Sequence, residues 1–355
     1  MDALEREITT FIRRYARRPA PDKEFQALAL KLFRFQFGAN TLYRRFCQQQ
    51  GAVPDALNDW REIPAMPALA FKELVLTTFP PRAKKKIFQT SGTVGLGRGP
   101  STSSGRGAHY FRTLKIYEAS IEPAFRTHVA ERAFSYYFLM PNAAQAPHSS
   151  LSHMMKTVNA RFARRKGKFY VKKGEPDFRA LARDLASAKK PVLLLSTAFA
   201  LKAFLDYLKE KRLTLELPKK SRLMETGGFK GRSTEISKKA LYRLCAERLG
   251  VAPGECVSEY GMTELSSQYY SRALAPFQGP AWLRAQAIDP LTGKECARGQ
   301  TGILKHVDLA NIGSVMAVQT EDLGREVRGG FEFLGRAKNS EARGCSLAYE
   351  RFVTA

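Results

Sequence analysis

The chain has no pair of cysteines at CxxC spacing. Its five cysteines, Cys47, Cys245, Cys256, Cys296 and Cys345, are scattered over 355 residues. That pattern fits neither a zinc knuckle nor a disulfide framework and points to a reducing cytosol. Long apolar runs are missing as well. The most apolar stretch, Val192 to Leu201, is about half of the roughly 20 residues that a membrane span needs. The first segment, MDALEREITTFIRRYARRPAP, holds no uninterrupted apolar run and does not read as a signal peptide. The expectation is a cytoplasmic protein with no membrane span. There is no GxxxxGK[ST] loop, no zinc finger, no RNP-like motif and no internal repeat. No stripe interleaves base-stacking aromatics with charge, so nucleic acid is not the expected partner.

Acidic residues are also scarce: 33 Asp and Glu stand against 58 Lys and Arg, a formal net charge of +25. Basic clusters lie at 84–86, 161–173 and 219–222. Such a surplus bears on association rather than on fold. It suits an acidic partner such as a carrier protein, and equally a plain solvated surface.

What is present supports a sizeable core. The hydrophobic share is 44%, and the length allows one large domain or two modest ones. Residues 1–80 read as a helical subdomain, with Phe25, Leu28, Leu32 and Phe35 at helical spacing until Pro64 and Pro67 interrupt the pattern. From about residue 85, strand and helix signals alternate. The strand VLLLS at 192–196 follows Pro191. A helix then presents Leu201, Phe204, Leu205 and Leu208 on one face, and Tyr242 to Leu249 form another that ends at Gly250. After about residue 290, GILKHV, SVMAVQT and FEFLG read as short strands between glycine-rich turns. The expected class is α/β, with layered parallel sheets and helices plus a small β region. The Gly/Ser-rich stretch 97–107, GRGPSTSSGRG, reads as a loop.

Four short segments carry chemistry. QTSGTVG (89–95) offers small hydroxyls and glycines that could ring phosphate oxygens, though a plain turn has the same composition. METGG (224–228) places Gly227 and Gly228 after an apolar strand, where a flat ring could lie on the backbone or a β-turn could form. EYGMTE (259–264) combines a ring that can stack, Tyr260, a hydroxyl, Thr263, and a carboxylate, Glu264, suited to Mg²⁺. The same residues could equally start a helix capped by Thr263. TEDLG (320–324) offers Asp322 as a ribose clamp or as an ordinary turn acid.

Taken in order, and with HVDLAN (306–311) and GRAKNSEARGCSL (335–347), these segments resemble the adenylate-forming enzymes. Within that superfamily the chain is similar to the acyl-protein synthetases of the bacterial luminescence fatty-acid reductase, also called long-chain-fatty-acid–luciferin-component ligases. The resemblance covers most of residues 85–350 and implies an ATP-dependent, AMP-forming acid–thiol ligase. ATP would be bound by Thr90, Ser91, Gly92, Thr93, Gly95, Arg98, Thr226, Gly227, Gly228, Tyr260, Gly261 and Asp322. Among the catalytic residues implied, Thr263 would touch the α-phosphate, Glu264 would hold Mg²⁺, and Arg336 would lie close to the ribose held by Asp322. Cys345 would take the acyl group as a thioester, its thiolate favoured by nearby Arg336, Lys338 and Arg343. The partners implied are a carboxylic acid, fatty or aryl, and an acceptor: a reductase subunit, an acidic carrier protein or coenzyme A. Residues 81–334 would be the adenylation core and 335–355 a tail carrying the acceptor cysteine, the superfamily's C-terminal lid being truncated or absent. His109 and His153 are possible substrate-pocket residues. Departures from the superfamily pattern are Val94 for a second Thr, Gly97–Arg98 for Pro-Lys and extra residues around 100–105. Two alternatives stay open: a ligase that loads coenzyme A or a carrier without acylating itself, and a basic nucleotide- or nucleic-acid-binding protein without catalysis.

Overall fold

The computed structural model describes residues 1–89, 107–163, 165–228 and 236–337. The chain divides into two compact units. The first holds Met1–Pro123, Met262–Gln268 and Pro276–Ala355; the second holds Ala124–Gly261 and Tyr269–Ala275.

The first unit opens with helices Asp2–Arg14, Asp22–Ala39 and Thr41–Gln49. Leu4, Ile8, Phe11 and Ile12 recur at helical spacing and are buried, while Asp2 and Glu5 begin that helix and Arg13 and Arg14 end it, as the helix dipole favours. In the second helix Phe25, Leu28, Leu32 and Phe33 face inward. Asn40 then accepts the backbone N–H of Tyr43 and starts the third helix. Beyond Gln49 the helical structure shrinks to a 3-10 turn at Trp60–Glu62 and one α-helical turn at Ala70–Glu73, and between them Met66–Pro67 forms a short strand parallel to Ala317–Val327. That long strand is the centre of a five-stranded sheet. Thr301–Asp308 and then Leu283–Ile288 lie antiparallel on one side, and Gly330–Arg336 pairs with its far half. Lys86–Gln89 and Ala108–Phe111 form a separate antiparallel pair.

The second unit is built on a six-stranded sheet in the order Tyr269–Arg272, Cys256–Tyr260, Arg222–Thr226, Val192–Thr197, Ser135–Leu139 and Lys168–Phe169. Every neighbouring pair is parallel except the first. Val192 through Leu195 are all fully buried, as expected of a parallel strand covered on both faces. Helices Phe178–Ala186, Ala198–Glu210 and Lys238–Leu249 pack leucines and Phe204 into one core with this sheet. Their starts are fixed by Asp177, Thr197 and Ser237, each accepting a backbone N–H three residues on. Gly250 ends the last of them in the left-handed region at φ 65°. No described helix is long and apolar enough to cross a membrane.

Candidate active site

In the first unit the site is organised around residues 263–267. Thr263 is not a helix cap. Its hydroxyl donates to the carbonyl of Gln89 at 3.3 Å, so it is tied to the first residue of the QTSGTVG segment. The carbonyl of Thr263 accepts from Nδ1 of His109 at 2.8 Å. A carbonyl can only accept, so Nδ1 carries the proton. His109 is 2% exposed, and burial lowers its pKa to about 4, only partly offset by the Thr263 contact. It is therefore neutral at physiological pH and holds Thr263 in place.

A buried polar cluster fixes the rest of the segment. Asn311 donates to the carbonyl of Glu264 at 2.7 Å and accepts the hydroxyl of Ser266 at 2.6 Å. Asp308 accepts the backbone N–H of Ser266 and the hydroxyl of Ser267, each at 2.8 Å. Trp282 donates to Ser267 at 3.0 Å. Gln36 reaches from the second helix to the carbonyl of Asn311 at 2.8 Å. Asp308 is fully enclosed, which raises its pKa to about 6 despite these donors. HVDLAN was visible as a motif without a role; here it holds the Glu264 carbonyl, Ser266 and Ser267. Gln36 carried no signal in the sequence.

Asp322 and Arg336 lie in the same unit and face each other in strand register. Their side chains approach to 3.4 Å, with Asp322 11% and Arg336 72% exposed. The Asp322 backbone N–H donates to Thr320 Oγ1 at 3.0 Å, which orients the strand at that point.

In the second unit, Thr226, Gly227, Gly228, Tyr260 and Gly261 gather at the carboxyl ends of two adjacent parallel strands. That is the edge where open α/β sheets bind ligands. Gly227 has φ +76°, a conformation that glycine adopts without strain, and both glycines are exposed. The ring of Tyr260 stands edge-on to Tyr269 at 6.0 Å. Beneath them lies a second buried network. Thr226 donates its hydroxyl to Glu259. Complete burial raises the Glu259 pKa to about 7, with neighbouring Glu225 adding to the rise and Thr226 opposing it. Lys238 is paired with Glu225 and donates to Ser258 Oγ at 3.0 Å and to the Gly227 carbonyl at 3.4 Å. Tyr242 also donates to Glu225, at 3.1 Å. Glu225, Glu259 and Lys238 escaped the sequence reading. His153 is buried in helix Ser150–Phe162 of this unit.

Thr90, Ser91, Gly92, Thr93, Gly95, Arg98 and Cys345 lie outside the described residues. Among the described residues no three His, Cys, Asp or Glu side chains assemble into a metal site. A single carboxylate such as Glu264 fits Mg²⁺ only in the manner of that ion with phosphates: one or two carboxylates, the remaining positions filled by phosphate oxygens and water.

The parallel sheet with helices and the separate five-stranded sheet give the fold of adenylate-forming ligases. An open conformation of 2-hydroxyisobutyryl-CoA ligase, solved with 2-HIB-AMP and CoA, superposes with a TM-score of 0.65 over 90% of this chain and 72% of its own, at 13% identity. At the level of sequence, the long-chain-fatty-acid–luciferin-component ligase of Vibrio harveyi is 22% identical over 339 residues, spanning 91% of this chain and 86% of the relative. The enzyme of the same name from Aliivibrio fischeri is 22% identical over 340 residues, 92% and 88% respectively. The family model for the acyl-protein synthetase LuxE matches residues 19–354, and the chain belongs to that family. It is an enzyme of the ligase class.

Proposed function

We propose that the chain activates a carboxylic acid of the fatty or aryl type with MgATP and then carries the acyl group on Cys345. In the first step a carboxylate oxygen attacks the α-phosphorus, the bond to the bridging oxygen breaks, and pyrophosphate leaves. In the second, the Cys345 thiolate attacks the acyl carbonyl and AMP departs, leaving a thioester for transfer to a partner protein. The observation that carries this reading is the family match along residues 19–354.

The site geometry supports it. Asp322, nearly buried and paired with Arg336, is suited to accept hydrogen bonds from the ribose hydroxyls. Thr263 and Glu264, held from behind by His109 and Asn311, would meet the α-phosphate and Mg²⁺. Mg²⁺ supplies charge neutralisation at the phosphates when bound. The exposed Gly227–Gly228 backbone and Tyr260 would bound the adenine. Thr90, Ser91, Gly92, Thr93, Gly95 and Arg98 would cradle the outer phosphates. Little covalent chemistry falls to the chain in the first step, so positioning and charge stabilisation supply most of the acceleration. For Cys345 the support is chemical: cations at Arg336, Lys338 and Arg343 are close in sequence, and positive neighbours favour the thiolate. The functional division follows, with residues 81–334 as the adenylation core and 335–355 as the tail that bears the acceptor.

The test is carboxylate-dependent ATP–pyrophosphate exchange across a panel of fatty and aryl acids, with Glu264→Gln as control. Radiolabelled acid should become attached to the protein and survive SDS. Cys345→Ala should lose that label and keep the exchange. Exchange with no protein-bound label, and product found on coenzyme A instead, would reject the self-acylation step.

A further inference from the structure

The N-terminal helix Asp2–Arg14 borders an open groove of about 750 Å³ that none of the chemistry above uses. Arg6, Arg13, Lys85, Arg112 and Lys115 line it, against two acids, Asp2 and Glu5. Both acids are already engaged, because Arg112 binds Asp2 at 2.5 Å and Glu5 at 2.8 Å. Arg112 offsets one of the two carboxylates, and with five basic against two acidic side chains the lining carries a net charge of +3. Arg6, Arg13, Lys85 and Lys115 are left, and none of them makes an ion pair among the described residues. Three other basic side chains of the same helical region are paired: Arg14 with Glu24, Lys31 with Glu7 and Arg34 with Asp55. Thr9, Thr10, Thr113 and Ile116 complete the lining. Thr9 and Thr10 donate to the carbonyls of their own helix, of Glu5 and Arg6, which leaves their oxygens as acceptors.

The shape argues about the occupant. A small-molecule site encloses most of its ligand, whereas Arg6, Arg13, Lys85 and Lys115 are all exposed. Arg6 and Arg13 are two helical turns apart, about 10 Å along the axis. An extended chain advances roughly 3.3 Å per residue, so about four residues of peptide would span the two guanidinium groups. Exposed cations of one sign set along a concave surface steer an oppositely charged partner and fix its register.

We propose that this groove docks an acidic segment of a partner protein, with Arg6 and Arg13 reading carboxylates about three residues apart. The surplus of 58 basic over 33 acidic residues is in keeping with an acidic partner. The proposal deepens the reading of the chain as a donor of acyl groups to a partner, but its test needs no turnover.

The full-length chain would be titrated by fluorescence anisotropy with a labelled peptide of about ten glutamates, at low salt and at physiological salt. The wild type should bind the peptide and lose affinity with salt. The double variant R6E/R13E should weaken binding by about tenfold or more. The double variant K219E/K220E, which reverses the same number of charges in the second unit, should change it little. Thermal melts of both variants establish that each is folded. Equal loss in the two variants would reduce the effect to overall charge and overturn the proposal. Retained binding in R6E/R13E would also overturn it. So would a duplex DNA of matched charge that binds more tightly than the peptide and is lost in R6E/R13E, since the groove would then be a nucleic-acid surface. Failure of the activity assay with peptide binding intact would instead point to the reaction assignment and leave the groove standing.

Discussion

Asn311 holds the backbone carbonyl of Glu264 at 2.7 Å, a contact between residues 47 positions apart in the chain. The same side chain donates to the carbonyl of Val315 at 2.9 Å and accepts from Ser266 at 2.6 Å, and it is 1% exposed. Its hydrogen-bonding capacity goes largely into fixing the segment that carries Thr263 and Glu264. Asn311→Ala strands two buried carbonyls and one hydroxyl. Each unsatisfied buried group costs about 1–3 kcal/mol, so a stability loss of about 3 kcal/mol is expected in thermal or urea unfolding. Pyrophosphate exchange should fall by about 10²-fold from misplacement of the segment. Unchanged kcat in a variant that still folds would mean that the segment needs no such support.

Stability should depend on pH through titratable groups in two buried networks, with the carboxyl groups acting in one direction and the imidazole in the other. Glu259, at about 7 against an ordinary 4.5, keeps a proton in the folded state that the unfolded chain has already lost. Its contribution is therefore complete below about pH 4.5 and is lost as pH rises through 7. Asp308, at about 6 against 3.8, has the same sign over a lower window. His109, at about 4 against 6.5, is the reverse: its contribution is present above 6.5 and is lost as pH falls toward 4. Glu259→Gln keeps a partner for Thr226 and removes the titration. Its stability relative to the wild type should rise between about pH 5 and pH 8, by at most about 3 kcal/mol. Parallel stability curves for the two proteins across that range would show that Glu259 titrates normally.

These two networks mark where the sequence was legible and where it was not. The local pattern revealed the strand at 192–196, which the structure extends to Thr197, the helix ending at Gly250 and the strands after residue 290, because each is specified by side chains within a few positions of one another. Gly227 was legible for the same reason: a glycine pair directly after an apolar strand needs only its neighbours to be recognised. The partners of these segments were not. Gln36 and Asn311 are 275 residues apart, and such a hydrogen bond leaves no period in the sequence. Thr263 looked like a helix cap because its following serines suit a first turn. Its hydroxyl goes instead to Gln89, 174 residues away. Glu259 sat inside a motif already noted, yet only its enclosure distinguishes it from the solvated carboxylate its letter suggests.

Asp322 and Arg336 make a pair whose two members should behave differently. The guanidinium is 72% exposed, and an ion pair of that kind is worth at most about 1 kcal/mol. Arg336→Ala should therefore leave the melting temperature nearly unchanged. If Asp322 clamps the ribose, Asp322→Asn should raise the KM for ATP by about tenfold or more, since hydrogen bonds to a charged acceptor contribute roughly 1.5–3 kcal/mol. It should leave the KM for the acid in place. An equal rise in both constants would indicate general distortion of the strand instead of a ribose contact.

The Lys238–Glu225 pair lends itself to a double-mutant cycle. Glu225 is 1% exposed, and one of its oxygens has no hydrogen-bond partner among the described residues. Lys238 supplies the opposite charge. Lys238→Met would leave the carboxylate buried with only Tyr242 and should cost about 3 kcal/mol, in the range for breaking a buried pair from one side. Glu225→Gln alone frees a lysine that is one-third exposed and can reach water, so its cost should be smaller. The double variant should recover a large part of the loss, with a coupling energy of about 2 kcal/mol. Lys238 also donates to the carbonyl of Gly227, which the doubly neutral protein cannot replace. Its stability should therefore recover further than its pyrophosphate exchange, and equal recovery of both would remove Lys238 from any part in placing the glycine pair.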